Sequence, residues 1–389
     1  MTTARTTTMA APILTRRVKP RARTLPVVDR GGDRWIMFTV AALVTVGVVM
    51  VFNTSYFFAG ERFGDPFHVF RKHLFSVALG SLCCYGASRL RSSTYERFAY
   101  WALAAVVLML IAVLIPGVGL VRGGARRWIG VGAINIQPSE LAKIAAVLYL
   151  ARSMVRKGPR LTTFSLGVLP HFIVVGFMAA LIVVEPDFGT AALLGVTLFA
   201  MLFAGGVRWR DLALPVLPIL PAAIYAVYSS PYRLRRVMVF LDPWEHPRDA
   251  GFQLVQSFLA FGSGGLFGAG LGESKQKMFY LPEAHTDFIF SVIGEELGLI
   301  GALALVGLFG LLAIRGLRVA LQHPTTFGQL VAFGVTTVIV LQAGINMAVV
   351  LGLLPTKGLA LPFVSYGGSA MMGAMTAVGV LLALSRESG

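Results

Sequence analysis

The sequence predicts an all-α integral membrane protein, a bundle of about ten transmembrane helices with a large extracytoplasmic loop between the seventh and the eighth. Three observations predict it. Of 389 residues, 56% are hydrophobic and only 13% are charged, where a soluble domain carries about a quarter charged residues. The apolar residues form continuous runs of the roughly 20 residues that cross about 30 Å of hydrocarbon as a helix. Strands of a lipid-facing barrel would instead alternate. Finally, the basic residues fall in every second connection between the runs.

From the N-terminus, residues 1–34 are rich in Thr, Pro and Arg, have little to bury, and read as a disordered basic tail. An Arg-rich, acid-poor start also fits an organelle transit peptide, but a positively charged cytoplasmic tail is the simpler reading. No cleavable signal peptide is evident. Residues 35–389 read as a single polytopic domain with spans near 36–58, 73–90, 98–115, 138–155, 162–184, 188–207, 212–229, 287–315, 325–354 and 362–385. The ninth is long enough to tilt. Adjacent Cys83 and Cys84 in the second span make neither a disulfide framework nor a metal site, and read as packing residues.

Charge sets the orientation. Arg16, Arg17, Lys19, Arg21, Arg23, Arg30 and Arg34 precede the first span, and Arg89, Arg91 and Arg97 follow the second. Arg152, Arg156, Lys157 and Arg160 follow the fourth, Arg208 and Arg210 the sixth, Arg315 and Arg318 the eighth. This positive-inside pattern places both termini in the cytoplasm and turns 116–137, 230–286 and 355–361 outward. It also accounts for the net charge of +16 without nucleic acid, which is excluded as a partner.

An ionisable residue inside a span needs a partner or a wet cavity. Glu140 and Lys143 lie three apart on one helical face, as a local ion pair or as part of a site. Glu185 and Asp187 flank Pro186 in VVEPDFGT, where helix capping is explanation enough. Glu295 and Glu296 in GEELG lie about 12–14 Å deeper than Asp287 on a regular helix and must find cations, water or protons. The segment 230–286 is too long for a plain loop, and loops of that length are commonly functional. Its glycines, Gly262 to Gly272, lack the lysine and the strand–helix setting of a nucleotide cradle. Its basic residues Arg233, Arg235, Arg236, Lys275 and Lys277 suit either a phosphate-bearing lipid head group or interfacial anchoring. At its end, Thr286 reads as an N-cap and Asp287 as a first-turn acid; the same placement also fixes a carboxylate at a membrane–water boundary.

Five stretches in order, GARRWIGVGAINIQPSELAK, VVEPDFGT, FLDPWEHPRDAGFQLVQS, KMFYLPEAHTDFIFSVIGEELGLIG and LPTKGLALPFVSYGGS, resemble the SEDS family (shape, elongation, division and sporulation) from the third span to the end. The lysine of LPTKG resembles the division branch, and the elongation and sporulation branches stand as alternatives. The resemblance implies a peptidoglycan glycosyltransferase that polymerises lipid II from its undecaprenyl-pyrophosphate carrier into β-1,4-linked glycan at the division septum, with inversion. It implies Asp287 as the essential acid, and Arg127, Lys143, Gln253, Gln256, Lys277, Glu283, His285, Lys357 and Ser365 as substrate-binding residues. Asn135, where some relatives carry a base, departs from the pattern and weakens a charge relay on that face. A divalent cation (Mg or Mn), a class B penicillin-binding protein and other division proteins are implied as cofactor and partners. No metal-ligand constellation is visible in the sequence. An ionised Asp287 would act as general base on a sugar hydroxyl, while the departing pyrophosphate removes the need for a second carboxylate. A lipid II flippase is the other function class to weigh, motivated by Lys143, Glu295 and Glu296; a scaffold for division proteins, docked through the tail, is the third.

Overall fold

Asp33 starts the first helix: its carboxylate accepts from the backbone N–H of Trp35 (2.9 Å) and Ile36 (3.4 Å). The helix α1 (Arg34–Phe63) ends at Gly64, whose φ of +68° stops the spiral. The computed structural model describes residues 32–388, except 123, 132–133, 230, 246, 248–250 and 277–283. The expected tail therefore lies almost wholly outside the described residues.

Twelve α-helices follow one another among the described residues. After α1 come α2 (His68–Ser88), α3 (Ser92–Leu114), α4 (Pro138–Lys157), α5 (Leu169–Val184), α6 (Phe188–Ala204) and α7 (Trp209–Tyr228). The rest are α8 (Pro231–Leu241), α9 (Phe252–Gly264), α10 (Ile289–Gln322), α11 (Thr326–Val350) and α12 (Gly368–Glu387). Among the described residues, six segments are long and apolar enough to cross a membrane: α1, α3, the stretch Phe164–Val184 containing α5, α10, α11 and α12. Each expected apolar run overlaps an α-helix, though not with the same bounds. The segment 230–286 is not a plain loop, since it holds α8 and α9.

Two expectations are amended. The chain is not wholly α: between α3 and α4 lies a three-stranded antiparallel sheet of β1 (Gly119–Arg122), β2 (Ala125–Val131) and β3 (Ile134–Ile136). Nor does the last helix start near 362. Residues 359–366 form an inserted loop in which Leu359, Leu361, Phe363, Val364 and Ser365 are buried. Gly47 of α1 makes room for it, because a Cβ there would lie 2.3 Å from the Phe363 carbonyl oxygen. Phe363 itself is held at φ +67°, a strain of about 1–3 kcal/mol that surrounding packing must offset.

Helix α4 is buried along most of its length, α11 along both the α4 and α10 sides, and α12 packs on α2. Helix α10 is broken at Gly298 (φ +66°, ψ −167°). The loop after α9 fills the break: the N–H groups of Ala269 and Gly270 donate to the carbonyls of Glu295 (2.9 Å) and Glu296 (3.1 Å). In return, those of Leu299 and Ile300 donate to Gly265 (2.9 Å) and Leu266 (3.3 Å). Irregular backbone among membrane helices needs such internal partners.

Candidate active site

Asp287 stands in the turn 284–288, immediately before α10. The N-cap of that helix is Phe288, which makes no side-chain cap bond, and the first turn holds no acid. Neither Thr286 nor Asp287 therefore plays the capping part expected of it. The turn is held from outside instead. The Tyr366 N–H donates to the His285 carbonyl (2.9 Å), and the Asn346 side chain donates to the Asp287 carbonyl (2.8 Å) and the Leu359 carbonyl (2.7 Å). These bonds set the turn against the loop after α11. Asp287 is half-buried and the adjoining Gly358 exposed, so the carboxylate is neither sealed in nor fully in solvent.

The His285 ring packs between Phe58 (centroids 4.9 Å apart) and Tyr366 (5.8 Å). Tyr366 reaches on toward His73 of α2 (6.1 Å). Lys357, next to Gly358, is half-buried, and burial pushes its ammonium pKa below the usual lysine value. Ser365 is buried, with its hydroxyl oxygen accepting from the Leu361 N–H (2.9 Å); it shapes the loop that carries Lys357. The structure thus brings Asp287, His285, Lys357 and Ser365 together.

Lys143 belongs to a second, neighbouring polar centre. Its ammonium lies 2.6 Å from Glu140 and donates to Gln342 Oε1 (2.6 Å), and all three side chains are buried. Gln342 in turn donates to the Ala360 carbonyl (2.9 Å). Gln342 and Asn346, one turn apart on α11, therefore grip successive carbonyls of the same loop. Arg127, on β2, donates through Nε to the Glu185 carbonyl and through Nη2 to the Pro186 carbonyl, both at 2.7 Å. Asp187 caps α6, accepting from Thr190 N–H (3.1 Å) and hydroxyl (2.8 Å). Glu185 does not cap: it is fully buried, and among the described residues both carboxylate oxygens lack a partner. Burial first, then the neighbouring Asp187, push its pKa up to about 8, against the pull of Arg127.

Gln253 and Gln256 are half-buried on α9, which docks on the end of α11 through the Ser257 hydroxyl and the Val350 carbonyl (2.7 Å). Lys277 and Glu283 lie outside the described residues. The deep carboxylates serve the loop at the α10 break: Glu295 accepts from the Ser274 hydroxyl and the Lys275 N–H (3.0 Å), Glu296 from the Asn53 amide and the Ser274 N–H (3.3 Å). The sequence expectation does not include Asn346, Gln342, Tyr366 or Gly358. The signal for the first two is a pair of amides four residues apart in an otherwise apolar run.

Apolar helices of membrane-spanning length, with a held carboxylate and a lysine in the turn and loop that join them, define a multi-pass membrane protein with a polar site between its helices' connections. The chain belongs to the SEDS family, since the sequence model of FtsW, RodA and SpoVE, described as cell cycle protein, matches residues 34–389. It is 45% identical over 353 residues to a probable peptidoglycan glycosyltransferase FtsW of Geobacter metallireducens, covering 91% of this chain and 94% of that one. It is 40% identical to stage V sporulation protein E of Bacillus subtilis over 356 residues, covering 92% and 97%. Among solved structures, a chain from work on polymerisation and crosslinking by a peptidoglycan synthase complex superposes with a TM-score of 0.75 at 29% identity, covering 92% and 98%. RodA of Thermus thermophilus superposes at 0.68 and 27% identity, covering 92% and 97%.

Proposed function

We propose that the chain is a septal peptidoglycan glycosyltransferase of the inner membrane that polymerises lipid II with Asp287 as general base. The observation that carries this reading is a half-buried Asp287 held against the Lys357–Gly358 loop by Asn346 and Tyr366. In this reading α1–α7 and α10–α12 cross the membrane, both termini are cytoplasmic, and α8 and α9 lie in the extracytoplasmic segment beside the site.

The acceptor is a sugar hydroxyl, a poor nucleophile that gains from a positioned base. Asp287 takes its proton as the oxygen bonds to the anomeric carbon of the growing strand. The bond from that carbon to the lipid pyrophosphate breaks, and the pyrophosphate leaves with the electron pair. An α-linked donor gives a β-linked product by this single displacement. Lys357 supplies positive charge toward the leaving group. A divalent cation is part of what the resemblance implies, but among the described residues no three His, Cys, Asp or Glu side chains converge to hold one. No step is assigned to it. A cross-linking partner, of the class B penicillin-binding type, fits the synthase complex in which the structural relative was studied.

The flippase reading loses its motive, since Lys143 is engaged by Glu140 and Gln342, and Glu295 and Glu296 by loop N–H groups. The test is glycan formation from purified lipid II by the Asp287→Asn form. Loss of polymerisation in a folded protein supports the base; unchanged polymerisation refutes it.

A further inference from the structure

The carboxylate of Asp287 rides on a short turn, and a turn alone does not aim a base to the tolerance that proton transfer demands. We infer that Asn346 is the positioning residue that aims Asp287, by pinning its peptide and that of Leu359 to one amide nitrogen. The inference rests on the reading of Asp287 as the base.

Asn346 is 2% exposed and sits on the last full turn of α11. Its two N–H donors are directed at the carbonyls of Asp287 and Leu359, at 2.8 and 2.7 Å. Both neighbours are acceptors, so only the nitrogen end of the amide suits this position. The other end, Oδ1, is buried with no partner among the described residues. A buried acceptor without a partner is destabilising, so the amide is poorly matched to a purely structural role. What it does achieve is local to the base. Leu359 follows Gly358, whose Cα hydrogen faces the Asp287 carboxylate, so tying both peptides to one atom sets the distance between them. The support is stiff because Gln342, one turn away, makes the equivalent bond to Ala360 and is itself held by Lys143.

The experiment measures lipid II polymerisation by the full-length chain, reconstituted with its cross-linking partner, for Asn346→Leu, a near-isostere without donors. The expected result is a kcat lower by on the order of 10²-fold, with KM changed by less than about twofold. In the Asp287→Asn background the same substitution should lower the residual rate no further. Asn346→Ser, which keeps one donor, should lose less, and it carries the test if the leucine form does not purify as a folded species. A wild-type kcat in a folded donor-free variant overturns the inference. So does a raised KM with kcat unchanged, or an equal further loss in the Asp287→Asn background. Full activity of Asp287→Asn alone overturns the base itself, and that outcome is distinct from an inactive Asp287→Asn beside a fully active Asn346→Leu.

Discussion

A Cβ on Gly358 would lie 3.1 Å from Oδ2 of Asp287. The bare glycine is therefore the wall against which one edge of the carboxylate rests. Gly358→Ala should displace the carboxylate by a few tenths of an ångström and lower kcat on the order of tenfold. Gly358→Val should lower it further. Melting temperature should hold, because Gly358 is exposed and its φ is not positive. Polymerisation assays with a parallel thermal melt check this; an alanine form as active as the native chain would show that the contact does not matter.

Lys357 gives a pH signature. Burial lowers its pKa from 10.5, and a bound pyrophosphate favours the charged ammonium. Binding then takes up a proton at alkaline pH, so KM for the lipid-linked substrate should rise as pH climbs through the lowered value. Lys357→Gln should have a KM raised on the order of tenfold and a flatter KM–pH profile. A profile identical in both proteins would remove Lys357 from the binding step.

Glu185 should set a pH dependence of stability instead. Its folded pKa of about 8 lies above the ordinary 4.5, so between these values the folded chain holds a proton that the unfolded chain releases. The contribution is whole below about pH 4.5 and is lost as pH rises through about 8, on the order of 5 kcal/mol in all. Thermal melts across pH 5–9 should fall with pH in the native chain and flatten in Glu185→Gln. Polymerisation by that variant at neutral pH should persist, since the amide mimics the protonated acid.

Lys143→Ala should be among the most damaging single changes to the fold. It leaves the buried Glu140 carboxylate without its cation and frees Gln342 from one bond, a loss of about 3–5 kcal/mol by comparison with other broken buried pairs. The double change Glu140→Gln with Lys143→Met should recover much of it. Melting curves in detergent decide the matter, and a Lys143→Ala form that melts with the native chain would contradict the pairing.

Helices were legible wherever about 20 apolar residues ran together, because length and hydropathy are local properties. The sheet at 119–136 was less so, although Gly123–Gly124 between two short runs is a hairpin signal. The end of the bundle was misread at Thr286. Its residue type suits an N-cap, yet bonds from Asn346 and Tyr366, far off in sequence, delay the helix to Ile289. Glu295 and Glu296 were expected to need cations, water or protons, whereas much of their satisfaction comes from backbone at 274–275. That pairing depends on a loop return that no local pattern encodes. Asn346 and Gln342 carry no charge that would mark them in an apolar run, yet neutral amides do much of the hydrogen bonding between membrane helices.

The interruption at Gly298 divides α10 into a short stub that follows the Asp287 turn and a long apolar shaft. Helices answer a change in bilayer thickness by tilting, and a rigid rod would carry such a tilt straight to its tip. Here the loop after α9 is bonded to both pieces, to the carbonyls of Glu295 and Glu296 before the break and to the N–H groups of Leu299 and Ile300 after it. The angle between stub and shaft is thereby set by a second segment of chain, residues 265–270, rather than by the helix's own hydrogen-bond ladder.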